Sequence, residues 1–198
     1  ERAEALEIWD EKLAGAGARV FAARTAYIRK ITPAVKEIYS GISGGKEIID
    51  IEYSSSAGDL TVSPEEARQK LISLFKQSVG TDIETGFTTS GPHRDDLVVD
   101  IEGKAARLFA SQGQQRSAVL ALKLAEASVL REVTGEQPVA LLDDVMSELD
   151  SERRRQILQF IDGRVQTFIT VNDKNLIPIL PENKYFRVSN GIVCEERA

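Results

Sequence analysis

Apolar residues recur at intervals of seven near the start of the chain. Leu6, Leu13, Val20 and Tyr27 form one row, and Trp9, Ala16 and Ala23 form a second. Together the rows describe a narrow stripe at coiled-coil spacing, so one long helix is predicted over residues 1–31. The stripe is a packing face in a small helical lobe or, alternatively, the seam of a coiled-coil arm. Gly15 and Gly17 weaken the helix midway. Pro33 marks a kink or restart, and the helix resumes to about Ser40 before Gly41–Gly45 ends it. Ile49, Ile51 and Tyr53 then alternate with polar residues, as in a strand over 47–53 that turns at 54–58. Ser63-Pro64-Glu65-Glu66 supplies a cap, a first-position proline and first-turn acids. The helix it starts carries Ala67, Leu71, Leu74 and Phe75 on one face, through roughly Ser78.

From Thr81 short apolar runs alternate with helical ones. A strand is predicted at 87–89, a loop over Ser90–Leu97, and a hairpin of 97–102 with 105–109 turned at Gly103. A helix over 117–133 follows, then a connection at 135–138 and a buried strand at 139–142. Next come a helix at 151–161, a second buried strand at 167–171, a short helical segment at 172–179, and a hairpin of 185–188 with 191–194. Strands alternating with helices argue for a parallel α/β lobe. The chain thus divides into a mostly helical lobe, 1–80, with no identifiable chemistry, and an α/β lobe, 81–198.

Composition narrows the class. The 198 residues are 42% hydrophobic and 28% charged, enough for one sizeable domain or a compact one plus an arm. A single cysteine, Cys194, excludes an intramolecular disulfide framework and fits a reducing cytoplasm. No apolar stretch approaches a membrane span, and residues 1–20 are charged and amphipathic, unlike a signal peptide. The net charge of −6 lacks a strongly basic nucleic-acid footprint, so any DNA contact must use a local patch or surface outside this chain. Arg153-Arg154-Arg155 and the group Arg19, Arg24, Arg29 and Lys30 are the basic concentrations. Each is solvated surface paired with nearby acids or, alternatively, a contact to DNA phosphates.

The chemistry concentrates around Pro138–Asp150. The apolar run Val139–Leu142 leads straight into Asp143 and Asp144. In open α/β sheets ligands bind beyond the carboxyl ends of strands. There one carboxylate can hold Mg²⁺ while its neighbour orients a water, as in nucleotide hydrolysis. Adjacent aspartates also cap helices and open turns. Upstream, Ser111-Gln112-Gly113-Gln114-Gln115-Arg116 precedes a helix and offers a hydroxyl, free N–H groups and a positive dipole end, which suit a phosphate. An ordinary N-cap at Ser111 is the alternative. Ser147-Glu148-Leu149-Asp150 follows the acid pair. His93-Arg94-Asp95 resembles a kinase catalytic loop, but that motif needs Asn where Asp100 stands, and no Asp-Phe-Gly follows. A loop salt-bridged through Arg94 is expected there, with a metal site of His93, Asp95 and Asp96 as the alternative. The sequence contains no Gly-x-x-x-x-Gly-Lys-Ser/Thr; GISGGK at 41–46 has the wrong spacing and is followed by Glu47.

In this order, SQGQQR, helix, LLDD and SELD resemble the C-terminal lobe of ABC-type ATPases of the SMC/Rad50 branch, most closely the RecF family. They correspond to its signature, Walker B and D-loop motifs, and SGPHRDDL also looks characteristic of it. The resemblance implies an ABC/SMC-type P-loop ATPase head with an attached helical lobe, whose Walker A loop lies in an N-terminal part outside this sequence. A start within a helix, at Glu1-Arg2-Ala3, suits a fragment. It further implies ATP and Mg²⁺ as cofactors, with Asp143 as the metal ligand through water. Asp144, one methylene shorter than the usual glutamate, would polarise the attacking water, so hydrolysis is expected to be slow. Ser111, Gly113 and Gln114 would contact a γ-phosphate held by a second subunit, and Asp150 would cross the same interface. Arg116 is a further contact or a structural charge. The switch histidine of relatives is missing; Asn172 is the first candidate for its place and Thr170 the next. Implied partners are gapped or junction DNA, RecR, RecO and an ATP-dependent second copy, with a role in loading recombinase and no membrane. Other readings are a different SMC-like head, a transporter ATPase, and a nucleotide-responsive DNA clamp in which hydrolysis is incidental.

Overall fold

The computed structural model describes residues 2–59, 61–177 and 183–196, with side chains from residue 6 onward. Helix α1 (Arg2–Ser43) runs unbroken with Pro33 inside it, where a kink or restart is expected. Ile31, Val35, Ile38, Tyr39 and Ile42 are buried on both sides of the proline, and that packing carries the helix across it. The buried row is Ala14, Phe21, Ile28, Val35 and Ile42, again seven apart but one position later than the predicted stripe. Leu13, Val20 and Tyr27 lie at its margin, each more than one-third exposed. Gly17 marks a close approach, since a Cβ there would meet the Leu71 side chain at 2.8 Å and Pro92 at 3.3 Å.

Strand β1 (Ile49–Ser54) alternates buried and exposed residues and pairs antiparallel with β2 (Asp96–Ile101), Ile51 facing Val99. After the turn at Glu102-Gly103, β3 (Lys104–Ala105) adds two residues to the sheet. The predicted second hairpin arm at 105–109 is instead a short helix, α3 (Ala106–Phe109). Its closing bond runs from the Ala110 N–H to the Ala106 carbonyl at 3.1 Å, and Gln115 Nε2 donates to both the Ala106 and Ala110 carbonyls.

Helix α2 (Pro64–Thr85) starts at the predicted cap, with a reciprocal Ser63–Glu66 capping box, and runs past Ser78 to a left-handed Gly86. Residues 87–89 form no strand. The Asp82 carboxylate accepts hydrogen bonds from Thr89 N–H at 3.0 Å and Thr89 Oγ1 at 2.6 Å, a local alternative to strand pairing.

Helix α4 (Gln112–Thr134) leads through a left-handed Gly135 to β4 (Val139–Asp143). Helix α5 (Ser151–Ile161) follows, then β5 (Gln166–Thr170), which pairs with β4 in parallel. Buried strands are expected here, yet Leu141 is 75% exposed and Phe168 54% exposed, while Leu142 packs into the core. Among the described residues this sheet has two strands, so helix α4 shields one face of β4 and the other stays open. A 3-10 turn (Lys174–Leu176) replaces the predicted helical segment 172–179, of which residues 178 and 179 lie outside the described residues. Strands β6 (Tyr185–Ser189) and β7 (Ile192–Glu196) form the expected hairpin. One continuous core runs from α1 through α2, β1, α4 and α5, and the β1–β2 pairing joins residues before and after position 80 in one sheet. The architecture is α/β, with a parallel strand pair flanked by helices. Among the described residues, no helix is long and apolar enough to cross a membrane.

Candidate nucleotide site

Asp143 ends β4 directly opposite Thr170 on β5, and both carboxylates of the pair Asp143-Asp144 are exposed. The Thr170 hydroxyl donates to Asp143 Oδ1 and accepts the Asp144 N–H at 3.0 Å. Asp144 adopts the left-handed region, with φ of 49°, and its carbonyl accepts from Ser147 Oγ at 2.9 Å. A non-glycine residue there is uncommon, and aspartate is among the side chains that tolerate it. The strand end is thus pinned by Thr170, the second-choice switch residue, while Asn172 lies exposed beyond β5. Mg²⁺ keeps several waters and uses one or two carboxylates. An exposed Asp143 with one oxygen oriented by a hydroxyl fits such a water-mediated ligand. Among the described residues no cluster of three or more His, Cys, Asp or Glu could hold a metal, which leaves His93, Asp95 and Asp96 without a metal site.

At the start of α4, Ser111 is the N-cap of a reciprocal capping box. Gln114 N–H donates to Ser111 Oγ at 3.3 Å, and Ser111 N–H donates to Gln114 Oε1 at 2.9 Å. A Cβ at Gly113 would meet only Arg153, at 3.9 Å, an ordinary contact. Glycine costs helix stability relative to alanine, and no close packing within this chain demands it here. Asp150 is the N-cap of α5, accepting the Arg153 N–H at 2.9 Å.

Between these two caps lies a set of residues that the sequence does not announce. Glu47 accepts hydrogen bonds from Tyr39 Oη at 2.7 Å, Gln114 Nε2 at 3.0 Å and Arg153 Nη2 at 2.6 Å. Arg153 Nη1 donates to Ser117 Oγ at 3.1 Å, and buried Ser117 donates to the Gly113 carbonyl at 2.8 Å. Burial pushes Glu47 up, but the bonds from Tyr39, Arg153 and Gln114 outweigh it and hold the carboxyl below its ordinary range. Burial first, then the Glu47 carboxylate, raises Tyr39. Arg116 makes a two-pronged ion pair with Glu148. The contacts that fix the start of α4 therefore run to Glu47, to α5 and to Glu148.

The remaining candidates separate. The loop 90–97 is held through Arg24 and Asp95 rather than through Arg94. Arg24 Nη1 donates to the Pro92 carbonyl at 2.6 Å and lies 3.6 Å from Asp95, a carboxylate only 1% exposed that also accepts from Tyr53 Oη. Arg94 instead stacks over Phe87, 5.2 Å from the ring centroid, and His93 Nε2 meets the Thr88 carbonyl at 2.8 Å. The basic runs are not uniformly solvated surface: Arg153 is internal and Arg24 anchors the loop, whereas Lys30 is an exposed residue paired with Glu132 at 3.3 Å, as expected.

No family model matches the chain. Comparison with curated proteins is decisive. "DNA replication and repair protein RecF" of Lactobacillus acidophilus is 39% identical over 196 residues, covering 97% of this chain and 52% of that protein. The same-named protein of Clostridium acetobutylicum is 40% identical over 192 residues, and that of Rippkaea orientalis 44% over 165. The chain belongs to the RecF family. It spans about half the length of the curated RecF relatives it matches. A solved RecF structure with ATPrS, described as a recombination mediator protein in the RecFOR pathway, superposes with a TM-score of 0.78 at 40% identity, over 97% of this chain and 50% of that one. A companion RecF–ATP structure gives the same score at 38% identity. An SMC ATPase matches with a TM-score of 0.51 at 13% identity over 90% of this chain, a likeness of fold alone. The fold is that of the C-terminal lobe of an ABC/SMC-type ATPase head.

Proposed function

We propose that this chain is the C-terminal half of a RecF-type protein that binds ATP, dimerises on DNA and supports recombinase loading at gaps, with RecR and RecO as partners. The observation that carries the reading is the pairing of two exposed phosphate-directed ends on one chain: the capped Ser111-Gln112-Gly113 start of α4, and the Asp143-Asp144 end of β4. Their supports are separate. Thr170 holds the second, while α5 and Glu47 hold the first. That separation suits two half-sites serving two nucleotides across a dimer.

In this reading Ser111, the Gly113 backbone and Gln114 receive the γ-phosphate of a nucleotide bound by the second subunit. Asp143 orients a water shell for Mg²⁺, which supplies charge neutralisation on the phosphates. Asp144 orients the attacking water, Asp150 reaches the interface as part of the D-loop, and Asn172 senses the γ-phosphate beside the Thr170-pinned strand end. The exposed Arg155 and the half-buried Arg154 are the candidates for a DNA-phosphate contact. The left-handed, short Asp144 also supports a second reading, a nucleotide-responsive DNA clamp with incidental turnover.

Light scattering of the full-length protein with Mg-ATP tests the proposal. Mass doubling with ATP that is lost in Ser111→Arg is the expected result. ATP binding with no mass change, or doubling insensitive to Ser111→Arg, overturns it. Turnover with and without DNA separates the two readings, because a clamp turns over no faster on DNA.

A further inference from the structure

Glu47 sits in the turn between α1 and β1, far in sequence from every motif, yet its carboxylate joins three elements. Tyr39 of α1, Gln114 of α4 and Arg153 of α5 all donate to it, and the Glu47 and Arg153 side chains are only 17% and 16% exposed. Neither cap requires this link. A serine and a glutamine complete the box at α4, and Asp150 caps α5 through a backbone N–H.

We infer that Glu47 is a positioning residue that orients the signature serine and the D-loop aspartate together. The Gln114 amide is the link between Glu47 and the cap. A carboxylate is acceptor-only, so whatever faces it must donate. Glu47 Oε1 therefore holds Gln114 with its NH2 inward, at 3.0 Å, and its Oε1 toward the Ser111 N–H, at 2.9 Å. That orientation closes the capping box and fixes the backbone from which Ser111 presents its hydroxyl. The same Glu47 oxygen holds Arg153, whose own backbone N–H is bound by Asp150. One half-buried oxygen thus sets both residues that the proposed function assigns to the nucleotide of the second subunit. The inference rests on that composite-site reading.

Three variants of the full-length protein separate positioning from mere support. Glu47→Gln keeps an acceptor at the Arg153 and Gln114 side and can face its NH2 to Tyr39. Its ATP midpoint for dimerisation stays within about threefold of wild type. Glu47→Ala frees the amide, and the midpoint rises by about tenfold or more, the scale expected when a positioned group is loosened. The exchange Glu47→Arg with Arg153→Glu restores an ion pair but presents donors to Gln114. The amide then turns its NH2 toward the Ser111 N–H and opens the cap. This exchange regains thermal stability over Glu47→Ala without regaining dimerisation, and it carries the comparison if Glu47→Ala does not fold. Recovery of both properties in the exchange overturns the inference and leaves Glu47 a structural residue. Ser111→Arg serves as the control: if it abolishes dimerisation while all Glu47 variants match wild type, the composite site stands and the positioning role fails. If Ser111→Arg has no effect, both fail.

Discussion

Around α1 the large apolar side chains find cover. Phe21, Val35, Tyr39 and Ile42 are buried where α1 meets α2, β1, α4 and α5. Along β4 and β5 only some do: Leu142 is buried, but Val139, Leu141 and Phe168 are half exposed or more. Parallel strands are normally buried on both faces, and a sheet of two strands is marginal alone. The helical core is therefore energetically self-contained, whereas the strand pair relies on α4 and on the helices beneath it. The acid pair sits on the less supported element, held there by Thr170. The capped start of α4 sits on the better supported one, tied into the core through Glu47 and Arg153. Stability and proposed chemistry are in this way distributed unequally over one chain.

The largest effect expected from that contrast is a pair of truncations. Leu71 is fully buried between α1 and α2, and Leu71→Ala should cost about 2–5 kcal/mol in urea unfolding. Leu141, 75% exposed, should lose less than about 0.5 kcal/mol as Leu141→Ala in the 198-residue chain. In the full-length protein the cost of Leu141→Ala should climb toward the buried range if further sheet covers β4. Equal small costs in both forms would mean that this face is an open surface, and the contrast would then reflect design rather than incompleteness.

How much of this was legible in sequence follows the same division. The α2 start was readable because its signals are local: Ser63, Pro64 and Glu66 act within one turn. The order of motifs from Ser111 to Asp150 was readable for the same reason, as were the two parallel strands and the closing hairpin. The inward row of α1 was not, because residues 13, 20 and 27 and residues 14, 21 and 28 are adjacent apolar or part-apolar rows at identical spacing. Only the partners α2, β1 and α4 decide between them. The open face of β4 was equally hidden, since an apolar run states what a strand prefers and not whether neighbours supply it. Glu47 gave no signal at all. An acid after a lysine in a turn is ordinary, and its three donors lie 8, 67 and 106 residues away. Long-range polar networks are where single-sequence reasoning stops.

A smaller effect concerns pH. The folded Glu47 carboxyl is held below its ordinary value of 4.5, so folding favours its charged form. Its contribution is fully present above the unfolded value and is lost as pH falls through the lower folded value. The stability difference between wild type and Glu47→Gln should be constant above about pH 6 and shrink on acidification below the ordinary carboxylate range. Denaturant titrations across that range measure it. A difference that stays flat to low pH would mean that the charge of Glu47 is not what ties the start of α4 to the core.

The smallest expected effect distinguishes two ion pairs: Arg116–Glu148, which joins α4 to the segment after β4, and Arg153–Glu47, which joins α5 to the turn between α1 and β1. Arg153–Glu47 is largely buried, whereas Arg116 and Glu148 are 52% and 42% exposed. An exposed pair gains little in water and is screened by salt, so Arg116→Ala should cost less than about 1 kcal/mol at low salt and still less at high salt. The Arg153–Glu47 pair, shielded and supplemented by Tyr39 and Gln114, should show a loss on Arg153→Ala that salt barely changes, because the stranded Glu47 carboxylate keeps its desolvation cost. A salt-insensitive loss for both would place Arg116–Glu148 within the same rigid network. Ser147-Glu148-Leu149-Asp150 would then be coupled to the start of α4 at two points instead of one.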